Sequence, residues 1–100
     1  MRLAYACRLD EIPHDRGLLV EVGGRALAVF RQGERVHALE NGCPHRDGPL
    51  AFGDVRGGTV FCPVHAWPFD LETGRCRELP GVSVKVFPVR LEGEAVWIEL

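Results

Sequence analysis

The sequence predicts a small all-β domain, and three observations carry that prediction. Short stretches alternating apolar and polar residues recur at roughly eight- to twelve-residue spacing along the chain. Glycine and proline punctuate the whole of it, and no stretch offers the ten or more residues of clean helical periodicity that a helix needs. The length of 100 residues, with 46% apolar and 26% charged, fits a single globular domain with a modest core. Strands of this kind close as a small antiparallel sandwich or barrel.

The elements follow in order. Residues 2–9 supply a first strand. Residues 18–22 and 25–30 flank Gly23-Gly24, a two-residue hairpin signal. Residues 35–40 follow across Gln32-Gly33-Glu34 and extend the meander. Near the C-terminus, 82–87 and 89–91 alternate apolar and polar residues, and Glu92-Gly93-Glu94 turns into a last strand at 95–100. The middle, from 41 to 81, reads differently: it holds five of the seven prolines, seven glycines and little strand-like sequence beyond 59–62. A loop-rich insert in a small β domain needs something besides a core to hold it. Three of the four cysteines lie there, which points to metal.

Composition excludes several classes. The longest apolar run is the five residues 26–30, against the roughly 20 that span a bilayer, so no membrane anchor is expected. The first seven residues are soon interrupted by Arg8, Asp10 and Glu11, so no secretory signal is expected either. A net charge of −2 argues against a nucleic-acid partner. The expectation is a cytoplasmic protein of one domain, residues 1–100.

The chemistry lies in Cys43-Pro44-His45, followed sixteen residues after the histidine by Cys62-Pro63-Val64-His65. Sixteen extended residues would span roughly 50 Å, so the two halves meet only if the chain reverses between them. Residues 54–58, ending in Gly57-Gly58, read as that reversal. Two loops at one end of a hairpin then present one thiolate and one imidazole each. A Cys2His2 set can hold tetrahedral zinc, which would make this a zinc-stabilised β interaction module with no redox role. Zinc modules, however, usually pair cysteine with cysteine and histidine with histidine. The alternating order here suits a dinuclear cluster in which one iron takes both thiolates and the other both imidazoles.

At these residues the sequence resembles the Rieske [2Fe–2S] family. The likeness continues through Ala66-Trp67-Pro68-Phe69-Asp70-Leu71-Glu72-Thr73-Gly74, which is similar to the family's second cluster loop and its Phe-Asp-x-x-Thr-Gly turn. Position 66 is usually glycine there, so Ala66 departs from the pattern. The resemblance implies a base of residues 1–41 and 72–100 and a cluster-binding subdomain of 42–71. It implies one [2Fe–2S] cluster per chain, with Cys43 and Cys62 on the inner iron and His45 and His65 on the outer. It implies no catalytic residue: the chain is an electron carrier, either a soluble ferredoxin or the non-catalytic small subunit of an oxidoreductase. Its partners would be the reductase and terminal oxygenase of a ring-hydroxylating dioxygenase system, or the large subunit of an NAD(P)H nitrite reductase. Respiratory members carry an extra cysteine in each loop, joined as a disulfide; those places are Gly48 and Val64 here. The serine and tyrosine hydroxyls that raise their potential fall at Trp67 and Phe69, so the potential is expected near the low end of the family's range, about −150 mV. A partner is expected to dock on His45, His65, Arg46 and Trp67. Cys7 and Cys76 are expected as free thiols, His14 and His37 as surface or strand residues, and Asp70 and Thr73 as the residues that fix the turn to Gly74.

Overall fold

Described for residues 2–43, 48–64 and 66–100, the computed structural model of the chain folds into short antiparallel strands. They are β1 (Leu3–Arg8), β2 (Leu18–Val22), β3 (Arg25–Gln32), β4 (Arg35–Glu40) and β5 (Asp54–Arg56), then β6 (Thr59–Phe61), β7 (Pro68–Asp70), β8 (Val86–Phe87), β9 (Val89–Glu92) and β10 (Ala95–Glu99). Three sheets result, in the orders β1-β10-β9, β2-β3-β4-β8 and β5-β6-β7. Among the described residues no helix is long and apolar enough to cross a membrane.

The hairpin signal at Gly23-Gly24 is realised. Both residues take positive φ, +58° and +78°, as a two-residue turn with the twist of its strands requires, and Val22 pairs with Arg25 across it. The strand that follows explains the rest of the architecture. In β3, Leu27 and Val29 point into one core while Ala28 and Phe30 point into another, and in β4 Ala38 and Leu39 divide the same way. A half-buried strand would alternate with polar residues; β3 instead buries Leu27, Ala28, Val29 and Phe30 in succession because both its faces are covered there.

The four-stranded sheet is therefore a partition. On one side the sheet of β1, β9 and β10 encloses Cys7, Ile12, Val22, Leu27, Val29, Val96 and Ile98. On the other, β5–β7 and the flanking loops enclose Phe30, Leu50, Val60, Phe69 and Leu71 together with Cys43, Cys62 and Cys76. Leu27, Val29, Val96 and Ile98 are fully buried, each contributing about 1.5–3 kcal/mol of hydrophobic stabilisation.

Three expectations change. Residues 54–56 are a strand, not part of the turn; the reversal sits at Gly57-Gly58. Residues 68–70 form a strand that the pattern did not indicate, paired to β6. Only Val86–Phe87 of the stretch 82–87 joins a sheet. The backbone of 82–84 bonds instead to the chain crossing it, through Cys76 N–H to Val82 O at 2.9 Å and Val84 N–H to Gly74 O at 2.8 Å.

Candidate metal centre

Each cysteine of the motif stands at the neck of its loop. Cys43 follows β4, and its N–H donates to Gly48 O at 2.9 Å, closing the first loop on itself. Below that closure the loop is stapled again: Leu50 N–H donates to Asn41 O at 2.8 Å, and Ala51 N–H to Asn41 Oδ1 at 2.9 Å. Cys62 follows β6, and its N–H donates to Trp67 O at 2.9 Å, continuing the ladder that pairs Phe61 with Pro68. The reversal at Gly57-Gly58 thus delivers the second neck to the first.

The two thiols meet in the interior. Cys43 is 2% exposed and Cys62 1%, and both belong to one buried cluster. Burial, foremost, pushes the Cys62 thiol up to about 11; the Val64 N–H donating to its sulfur pulls the other way, and the neighbouring Cys43 adds to the rise. The Cys62 thiol thus holds its proton, which a metal must displace to bind.

Gly48 makes the approach of the loops possible. A Cβ built there would lie 2.9 Å from Cys62 Sγ and 3.0 Å from Val64 Cγ2, closer than real side chains pack. The same Cβ would be 3.4 Å from Val64 Cβ, so positions 48 and 64 face each other across the loops. Glycine and valine at these places leave them without a covalent bridge.

A buried pair of thiols with an N–H donor to one sulfur fits an iron that carries both thiolates, the inner half of a histidine-and-cysteine dinuclear cluster. His45, His65 and Arg46 lie outside the described residues. Among the described residues no third His, Cys, Asp or Glu joins the two cysteines. Around the pair, Phe69 is fully buried, while Val64 and Trp67 pack against the same core. Ala66 has φ of +55°, the left-handed conformation in which glycine is at ease and alanine is strained by roughly 1–2 kcal/mol. That accounts for glycine as the usual residue at this position.

The other singled-out residues fall where their chemistry suggests. Asp70 Oδ1 accepts from the N–H groups of Glu72 and Thr73 at 2.7 and 3.2 Å, and Oδ2 pairs with Arg77 at 3.1 Å, so it builds the turn. His37 is a buried strand residue held by Gln32 Oε1 at 2.8 Å, and His14 is exposed. All four cysteines are free thiols. Burial, followed by the charge of Glu11, raises Cys7 to about 11, which leaves it inert.

Two features escaped the sequence. Cys76 shares the core of Cys43 and Cys62 and bridges to Phe69; the buried–exposed alternation of Gly74, Arg75, Cys76 and Arg77 is the signal that could have revealed it. The backbone N–H that pulls the Cys62 thiol down comes from Val64, a position the sequence marked only by its lack of a cysteine.

Residues 3–88 match the family model of the Rieske [2Fe-2S] domain. The ferredoxin component of the naphthalene 1,2-dioxygenase system of Pseudomonas aeruginosa is 35% identical over 96 residues, spanning 95% of this chain and 92% of that one. The 4beta-methylsterol monooxygenase of Methylococcus capsulatus is also 35% identical, over 91 residues, but the match covers 79% of this chain and only 24% of that enzyme. Among solved structures, the ferredoxin of carbazole 1,9a-dioxygenase from Nocardioides aromaticivorans superposes with a TM-score of 0.89 at 27% identity, covering 98% of this chain and 97% of that one. A putative nitrite reductase NADPH small subunit superposes at 0.90 over the full length of both chains but at 22% identity, which is a likeness of fold. By sequence and by fold together, the chain belongs to the Rieske [2Fe–2S] domain family, and its function is one-electron transfer through a [2Fe–2S] cluster.

Proposed function

We propose that the chain is the ferredoxin component of an oxygenase system, carrying single electrons from a reductase to a terminal oxygenase. The observation that carries this reading is the match to a dioxygenase ferredoxin along nearly the whole of both chains. The nitrite reductase subunit shares the fold at lower identity and so supports the alternative less. One cluster is held per chain, by Cys43 and Cys62 on the inner iron and by His45 and His65 on the outer; the meeting of the two buried thiols supports the inner half of that set. Residues 1–41 and 72–100 act as the base, and 42–71 as the cluster-bearing part. Four free cysteines suit the reducing cytoplasm, and a net charge of −2 suits protein partners over nucleic acid.

When bound, the cluster supplies reversible one-electron exchange. The chain's own groups set its terms. Burial of Cys43 and Cys62 keeps water from the inner side, and the Val64 N–H stabilises negative charge on the Cys62 sulfur. Phe69 brings no hydroxyl to the same core, so the potential stays low, about −150 mV.

Anaerobically purified protein is expected to contain two irons and two acid-labile sulfides per chain. Stoichiometric zinc without iron would overturn the reading. A reductase and an oxygenase that exchange electrons with it at rates matching turnover would establish the ferredoxin role, and transfer confined to a nitrite-reducing enzyme would replace it.

A further inference from the structure

Beside the second cluster loop the chain carries a groove that the electron-transfer reading does not use. It has a volume of about 490 Å³ and is lined by Arg75, Cys76, Pro80, Gly81, Val82 and Ser83. Its walls are tied to the site. Arg77 N–H donates to Pro68 O at 2.8 Å, next to Trp67, and Cys76 bridges to Phe69. Cys76 belongs to the core of Cys43 and Cys62, and Val82 packs on that core as Val64 and Trp67 do. The groove is also preformed: Val82 N–H to Leu79 O at 3.2 Å and Cys76 N–H to Val82 O at 2.9 Å hold its loop in shape. A rigid recess costs a partner little ordering on binding.

Charge decides what fits. Arg75 is the one ionised side chain in the lining, and among the described residues it has no ionic partner. The acids near it are engaged elsewhere: Asp70 pairs with Arg77 at 3.1 Å, and Glu72 with Arg35 at 2.9 Å. Glu78 is on the same loop but does not line the groove. An arginine left over at the mouth of a recess, with apolar Pro80 and Val82 beside it and the Ser83 hydroxyl across from it in the lining, is built for a carboxylate on a short apolar stem.

We propose that this groove receives an aspartate or glutamate side chain of the redox-partner protein, anchoring the partner beside the second cluster loop. The proposal rests on the ferredoxin reading for the partner's nature, but the recess and its charge can be tested apart from it.

The test is amide and arginine side-chain NMR of the holo-protein. The probes are an acetylated, amidated Gly-Glu-Glu-Gly peptide, the matching Gly-Lys-Lys-Gly peptide, and sodium sulfate. The acidic peptide should shift the signals of Arg75, Gly81 and Ser83 saturably and the lysine peptide should not. Arg75→Gln should weaken the acidic peptide about two- to fivefold, as expected for an exposed ion pair, and added salt should do the same. The Arg75→Gln protein should keep the wild-type visible spectrum and iron content. Shifts that leave these residues untouched, or that survive Arg75→Gln unchanged, overturn the proposal. So does sulfate that moves the same signals as strongly as the peptide, which would mark a free-anion site. Acidic-peptide binding by a protein without iron would sink the ferredoxin reading and leave the groove standing.

Discussion

The two cores on either side of the four-stranded sheet are built from the same strands and do different work. The core against β1, β9 and β10 is aliphatic apart from Phe87 and one inert cysteine, Cys7, and is closed by a five-pair ladder between β1 and β10. The opposite core holds three cysteines among its apolar residues and is covered by three-residue strands and loops. One side can close on hydrophobic burial alone, while the other surrounds two polar, protonatable sulfurs that gain most from a metal. Because successive residues of β3 serve opposite sides, stability and function are separated by a single step along the chain.

Removing a sulfur tests that separation most severely. Cys62→Ser should abolish the visible absorption and the bound iron, and hydrogen exchange should accelerate at residues 59–70. Amides of β1 and β10 should keep their protection; if they lose it as well, the two cores are one cooperative unit. The converse change is Leu27→Ala, which empties a fully buried position in the aliphatic core. It should cost about 2–5 kcal/mol in urea unfolding, with iron content and spectrum unchanged.

Smaller effects sharpen the picture. Phe69→Tyr puts a phenol into the cysteine core, where donation to a cysteine sulfur would favour the reduced state. Protein-film voltammetry should show a rise of some tens of millivolts, about 59 mV corresponding to a tenfold change in a one-electron equilibrium. An unchanged potential would mean that the hydroxyl does not reach a sulfur. His37 offers the mildest probe. Burial, then the charge of Arg35, lowers its pKa below the ordinary 6.5, with Glu72 and Asp70 opposing. The unfolded chain therefore takes up the proton first. Stability should be full above that ordinary value and decline as pH falls through it, until folded His37 is protonated too. Urea midpoints at pH 8 and pH 5.5 would show it, and His37→Gln should flatten the difference.

Much of this was legible from residue order. Gly23-Gly24 announces its hairpin because only glycine takes two positive φ values cheaply. Of the alternating Cys-x-His and Cys-x2-His necks, the two cysteines come together in one buried core as the spacing anticipated, while the histidines lie outside the described residues. What was not legible depends on neighbours distant in sequence. Pro68–Asp70 is a strand because β6 offers it a ladder, and residues 82–84 miss one because Gly74 and Cys76 take their backbone groups first. The Val64 N–H bond to sulfur leaves no trace at all in sequence, since every residue but proline has that donor.

The ends of the chain meet on the aliphatic side. Leu100 N–H donates to Arg2 O at 2.8 Å, and Leu3 pairs with Glu99. A polypeptide could therefore enter and leave this fold through one doorway, on the sheet that takes no part in holding the thiols. Extra protein spliced on at either terminus would lead away from the ends of β1 and β10, in the sheet remote from Cys43 and Cys62. The fold is in this sense a cartridge. It can stand as nearly the whole of a small carrier, as in the naphthalene dioxygenase ferredoxin, or occupy about a quarter of a much longer enzyme, as in the methylsterol monooxygenase.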